Sequence, residues 1–194
     1  ALTLGHTCLF FIYITLTGFS LAVVTNVSKA FGKEDIQALR INFRMGLWLV
    51  FGFSLFGLIL VSKTKEFLTY LEQDEYIVGI VSQYIQIVQW MMPFLLLTYV
   101  IKAFLISVKK QQVVLVISIL GLVTNFVFNY LFIFGNFGFP ELGISGVACS
   151  SLLTSVAMML SGLLYINFSD LKEKQIFKDF FVFDAEIFKN LFKL

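Results

Sequence analysis

Apolar and polar positions alternate in long blocks along this chain, not at the short periods of a soluble helix or strand. Five mostly apolar runs, at about 7–31, 41–62, 79–107, 112–134 and 145–168, each hold enough residues for a helix to cross a bilayer. Turn-forming and charged residues separate them. The predicted fold is all-α: a polytopic transmembrane helix bundle with five spans. Polar residues inside the runs mark where a helix faces something other than lipid. The first run carries Thr15, Thr17, Ser20, Thr25 and Asn26. These face a cavity or a neighbouring helix, or their hydroxyls bond back to their own backbone carbonyls. In the third run Gln83, Gln86 and Gln89 precede Pro93. Proline predicts a kink and a freed carbonyl near Gln89, which in a membrane needs a partner or a water-lined cavity. Gln86, Gln89 and Pro93 share a helix face by their spacing. Gln86 reads as cavity wall and Gln83 as an interhelical hydrogen bond, worth about 1 kcal/mol or less.

The fourth run and its sequel, Asn125 to Ala148, depart most from a plain apolar span. Asn125 and Asn129 stand four apart, so their amides lie on one face. An amide in hydrocarbon is costly unless something bonds to it, and it both donates and accepts. It can meet a substrate, a water file or a cation without carrying charge. Interhelical bonding is the structural alternative. A turn rich in glycine and aromatics follows, then Pro140-Glu141-Leu142-Gly143, and Gly146 opens the fifth run.

Composition agrees with the pattern: 59% hydrophobic, 13% charged, mean hydropathy +0.91. A soluble domain is about 45–50% apolar and about 25% charged. The net charge of +2 says little about nucleic acid, and no nucleic-acid partner is expected; where the charges stand is more informative. Of 14 Lys and Arg, only Lys63 and Lys65 fall in the connections on one side. Lys29, Lys33, Arg40, Arg44, Lys102, Lys109, Lys110 and the five lysines after residue 168 all fall on the other. The basic side is therefore expected in the cytoplasm, with the N-terminus of the chain outside and its C-terminus inside. No Asp or Glu falls within the five runs. A proton relay or ion site usually needs an intramembrane carboxylate, so such a group belongs to other helices or is not used. No cluster of His, Cys or carboxylates stands in mid-span, which argues against an intramembrane enzyme and a metal site. Cys8 and Cys149 read as small buried hydrophobes, not a disulfide.

Gly32-Lys33-Glu34-Asp35 reads as a turn, with Asp35 as cap of the next helix. Residues 63–78 form the longest connection on the less basic side. The tail from 169 mixes charge with Phe177, Phe180, Phe181 and Phe188, and 185–194 read as an amphipathic interfacial helix or the entry to a further span. The chain begins with Ala and enters a span almost at once, which reads as a fragment.

The Asn125–Ala148 stretch resembles the multidrug and toxic compound extrusion (MATE) family. The matching residues are Asn125, Asn129, Ile133-Phe134-Gly135, Gly138, Pro140-Glu141-Leu142-Gly143, Gly146 and Ala148. Gly18 with Val27-Ser28-Lys29-Ala30-Phe31-Gly32 is similar to the end of the family's second helix. Tyr84, Pro93 and Lys102-Ala103-Phe104 are similar to its fourth. The resemblance implies that the five spans are the second to sixth helices of a twelve-helix, two-lobe fold. Residues 1–168 would then be a partial N-terminal lobe, and 169–194 the cytoplasmic linker and the start of the second lobe. It implies an antiporter, not an enzyme, in a bacterial inner membrane. Such a protein exports amphipathic, often cationic organic compounds against Na⁺ or H⁺ by alternating access, acts as a monomer in membrane lipid, and uses no bound cofactor. Substrate or ion would meet Asn125, Asn129, Ser151, Gln86 and Tyr84. Pro140, Glu141 and Gly143 form the turn on the extracellular side. The family often has Asp where Asn129 stands, which puts proton binding by this helix in doubt. The competing readings are a flippase for lipid-linked sugars, for which only Lys102 approaches an intramembrane cation, and a membrane scaffold without transport.

Overall fold

The computed structural model describes residues 23–70, 74–178, 180–182 and 184. Most of the first expected span and the expected helix at 185–194 lie outside these residues. The described residues form helices and connecting turns with no strand. In chain order they are α1 (residues 23–32), α2 (Ile36–Ser62), α3 (Thr64–Tyr70), α4 (Glu75–Val88), α5 (Met91–Ser107), α6 (Gln111–Phe134) and α7 (Ile144–Phe168). Short 3₁₀ turns lie at Asn136–Gly138 and Asp170–Lys174. α2, α6 and α7 are each long and apolar enough to cross a membrane, and α4 with α5 makes a bent fourth span.

Local chemistry sets the helix ends. Asp35 Oδ1 accepts the Ala38 N–H at 2.9 Å and starts α2, as its position predicts. Asp74 caps α4 through the N–H groups of Tyr76 and Ile77. The turn after α1 closes with Asp35 N–H on the Ala30 carbonyl, and Glu34, not Gly32, takes the left-handed position (φ 57°). Lys109 (φ 62°) plays the same part after α5, where the Lys110 N–H reaches the Leu105 carbonyl at 2.8 Å.

The third run is two helices, not one continuous helix kinked at Pro93. They meet at Gln89-Trp90 with a bend of 48°. Pro93 is the third residue of α5, in the first turn, where a missing N–H costs little. The expected free carbonyl of Gln89 is not free: it accepts the Met92 N–H at 3.1 Å. The chain bends one turn ahead of the proline, so the unmade bond is replaced by a tighter one.

Two apolar clusters form the core. One joins α1, α2, α5, the end of α7 and the linker beyond it, with Phe43, Met45, Leu96, Ile101 and Phe104 buried. The other joins the end of α2, α3, α4 and the start of α5 and α7, with Leu68, Tyr84, Val88 and Met92 buried. Helices gain little from the hydrophobic effect when their alternative neighbour is lipid, so close packing must hold them. α7 meets this need. Its buried residues are Gly146, Ala148, Ser150, Thr154, Ser155, Gly162 and Ile166, nearly all small. α6 is the most exposed of the described spans; only Ile117 and Gly121 are buried in it.

Beyond α7 the linker folds back along α2. Arg40 Nε donates to the Lys174 carbonyl at 2.6 Å and Trp48 Nε1 to the Phe180 carbonyl at 3.2 Å. Phe177 packs edge-on against Phe43, with centroids 6.0 Å apart.

Candidate functional site

The α6–α7 hairpin is built by its turn. Gly135 ends α6 in the left-handed conformation, φ 66°. Pro140 and Glu141 are exposed, and the Leu142 N–H then returns to the Phe132 carbonyl at 2.9 Å. That carbonyl is one of the last in α6, which have no partner within the helix. Gly143 caps α7 with φ 53° and ψ −120°, a backbone that a side chain would strain. One turn on, Gly146 passes so near α6 that a Cβ would lie 2.6 Å from the Phe132 carbonyl oxygen. The Pro-Glu-Leu-Gly sequence is thus a docking turn that fixes how α7 runs along α6.

That register determines which residues meet across the seam. Counting back from Phe132 and forward from Gly146, Asn125 falls opposite Thr154 and Gly121 opposite Met158. Both juxtapositions are found. Asn125 Nδ2 donates to Thr154 Oγ1 at 3.5 Å, and the Met158 sulfur fills the space beside Gly121. Asn129 Nδ2 donates to Asn125 Oδ1 at 2.9 Å. The result is a polar ladder, Asn129 to Asn125 to Thr154, in an otherwise apolar seam. Both asparagines are half-buried and Thr154 is buried. Asn129 Oδ1 is buried and accepts no hydrogen bond.

The other expected residues lie elsewhere. Ser151 is half-buried on α7, one turn from Thr154's side of the seam, and its carbonyl accepts the Ser155 hydroxyl at 2.9 Å. Tyr84 is 1% exposed and packs in the second cluster with Ala148. Gln86 is exposed, and its carbonyl accepts the Gln89 side-chain amide at 3.1 Å. The structure therefore joins Asn125 and Asn129 to each other and to α7, but does not bring Gln86 to them. Thr154 is the residue the sequence reading missed. Its signal was the register that a tight turn at Gly146 imposes: the residue two turns into α7 must face the one two turns back in α6. Lys102 donates from Nζ to Ser118 Oγ at 3.0 Å and so ties α5 to α6.

No group of three or more His, Cys, Asp or Glu stands together among the described residues. Outside the spans, Lys110 and Asp170 pair at 2.8 Å at the basic end. The Lys110 ammonium holds the Asp170 carboxyl below its usual range, and Asp170 in turn raises Lys110.

Comparison with known proteins gives the architecture a family. The MatE family model matches residues 1–131. That match ends before the Pro140 turn, so the Pro-Glu-Leu-Gly sequence lies outside it. A probable multidrug resistance protein NorM from Agrobacterium fabrum is 28% identical over 167 residues, 86% of this chain and 36% of that protein. Another from Rhizobium meliloti is 34% identical over 152 residues, covering 78% and 32%. This chain therefore spans about a third of the length of the curated relatives it matches. Among solved structures, one described as the inward-facing conformation of a multidrug resistance MATE family transporter of the MOP superfamily superposes with a TM-score of 0.81. It is 16% identical and covers 94% of this chain and 41% of that one. On the family match, the superposed fold and the apolar helices together, the chain is a multi-pass membrane protein of the MatE family.

Proposed function

We propose that this chain contributes the greater part of one lobe to a secondary transporter that exports amphipathic, often cationic organic compounds. Inward movement of Na⁺ or H⁺ drives export by alternating access. Residues 1–168 form part of the lobe, 169–194 lead toward a second one, and the basic side faces the cytoplasm. The names of the relatives support multidrug export, and the seam between α6 and α7 supports a role for this lobe.

The observation that carries this reading is the Asn129 carbonyl oxygen. A buried acceptor without a donor costs roughly 1–3 kcal/mol. Asn125 has met its own needs across the seam through Thr154, which is what structure alone requires. Asn129 has spent its donor on Asn125 and presents an unused acceptor. Such a group bonds an ammonium substrate, a cation or a water that follows one. It does so without titrating, so this helix adds no protonation step of its own. The carboxylate that couples the ion is then on another helix.

Ethidium efflux from cells expressing the protein tests this. Asn129→Ala removes the acceptor, and loss of about 1 kcal/mol of contact lowers the export rate about fivefold at matched protein level. Unchanged efflux would remove Asn129 from the transport path.

A further inference from the structure

We propose that the basic end of the bundle binds an anionic phospholipid, with an acyl chain held between α2, α5 and α7 and the phosphate held by Lys172 and Lys178. The two halves of this site are adjacent cavities. The first has a volume of about 360 Å³, and its wall includes Trp48, Phe51, Leu97, Met159 and the linker rings Phe177 and Phe180. Every side chain lining it is apolar, and the one N–H among them, on Trp48, is engaged by the Phe180 carbonyl. Water needs two or more polar partners to be held, and this space offers none. It lies among membrane-spanning helices, where hydrocarbon is the available filler.

The second cavity, about 530 Å³, is a polar cleft lined by Asn167, Lys172, Gln175 and Lys178 beside Ile166 and Ile176. The two are joined. Met159 and Leu163 line the first, and Ile166 and Asn167, the next turn on the same face of α7, line the second. Phe177 borders both. Among the described residues, no carboxylate lines either one. Lys110, nearby in sequence terms to the same end, is committed to Asp170, whereas Lys172 and Lys178 form no ion pair among the described residues. An apolar slot that opens along one helix face into a doubly cationic, amide-bearing cleft matches a lipid tail and an anionic headgroup. A bound lipid would hold the linker against α2, α5 and α7 at once, since rings of the linker form part of the slot.

Native mass spectrometry of the detergent-purified protein tests this, with phosphatidylglycerol and phosphatidylcholine of matched chains as probes. The wild type retains phosphatidylglycerol roughly tenfold or more over phosphatidylcholine, the preference expected of two lysines. Lys172→Gln with Lys178→Gln brings the two lipids to near parity with unchanged melting temperature, because both lysines are exposed. Leu97→Trp fills the slot and lowers retention of both lipids. Lys63→Gln with Lys65→Gln, at the opposite end, leaves the preference intact. The proposal is overturned if wild type holds both lipids equally, if the preference survives in the Lys172/Lys178 variant, or if the Lys63/Lys65 variant loses as much. Displacement of the lipid by micromolar ethidium, with the Lys172/Lys178 variant unaffected, would make the slot a substrate site and also overturn it.

Discussion

Gly146→Ala is the smallest change that tests how α7 is seated on α6. The added Cβ would stand 2.6 Å from the Phe132 oxygen, 2.7 Å from its carbonyl carbon and 3.0 Å from the Ile133 nitrogen. All three are backbone atoms of a helix and cannot rotate aside. Ordinary contact begins near 3.5 Å, so the helices must part by roughly 1 Å at the hairpin end. Overpacking of this kind costs about 1–3 kcal/mol. The same Phe132 oxygen accepts the Leu142 N–H at 2.9 Å, and parting the helices stretches that bond, which adds about 1 kcal/mol. The expected loss is about 2–4 kcal/mol. Unfolding by SDS titration in mixed micelles, followed by helical circular dichroism, measures it. Gly79→Ala is the control: nothing lies within 4 Å of its added Cβ, so it is neutral or gains up to about 1 kcal/mol of helix propensity. The reasoning fails if Gly146→Ala stays within about 0.5 kcal/mol of wild type, or if Gly79→Ala loses as much.

Three further outcomes can be measured on the same protein. Asp74→Ala removes the side chain that caps α4 and lowers stability by about 1 kcal/mol in the same titration, while Asp74→Asn, which can still accept, loses much less. Asp170→Asn tests the Lys110 pair through pH. The folded-state carboxyl is depressed, so its contribution is complete above about pH 3.9 and is lost as pH falls through the lower folded value; Lys110 is raised, so its share is complete below about pH 10.4 and fades above that. Melting curves of wild type and Asp170→Asn should therefore differ at pH 7 and converge under strong acid; a gap that persists there would assign the effect to something other than charge. Trp48→Phe keeps the ring but removes the N–H given to the Phe180 carbonyl, so trypsin should cut the linker at Lys174 and Lys178 about fivefold faster, with helix content unchanged.

Much of this arrangement can be read from the residues because the bilayer imposes one coarse rule, an apolar length per span. The α2, α6 and α7 boundaries fall within a few residues of the apolar runs, and Asp35 caps where its spacing predicts. The break between α4 and α5 could not be placed by pattern, since Pro93 marks a bond that cannot form and not the residue at which the chain chooses to turn. The left-handed positions of Glu34 and Lys109 were hidden because charged residues occupy sites where glycine is usually sought. At the candidate site, Asn125 and Asn129 are visible as amides in an apolar run. Their partner is not, since Thr154 becomes one only when Gly146 sets the register. The apolar slot beside Trp48 depends on a linker folding back over α2, and nothing in a residue pattern shows where a linker returns.

The packing of the bundle divides close to the break at Gln89-Trp90. Tyr84, Val88 and Met92 pack in one cluster and Leu96, Val100 and Phe104 in the other, with the boundary just past the break, inside α5. α2, α5 and α7 each contribute to both. The described bundle is thus two packed blocks joined by three helices. In amide exchange such a bundle behaves as two cooperative units instead of one, with the segments of α2, α5 and α7 between them slowest to exchange. Damage to one block, such as a cavity at Met92, would be felt within α3 and α4 long before it reached the linker.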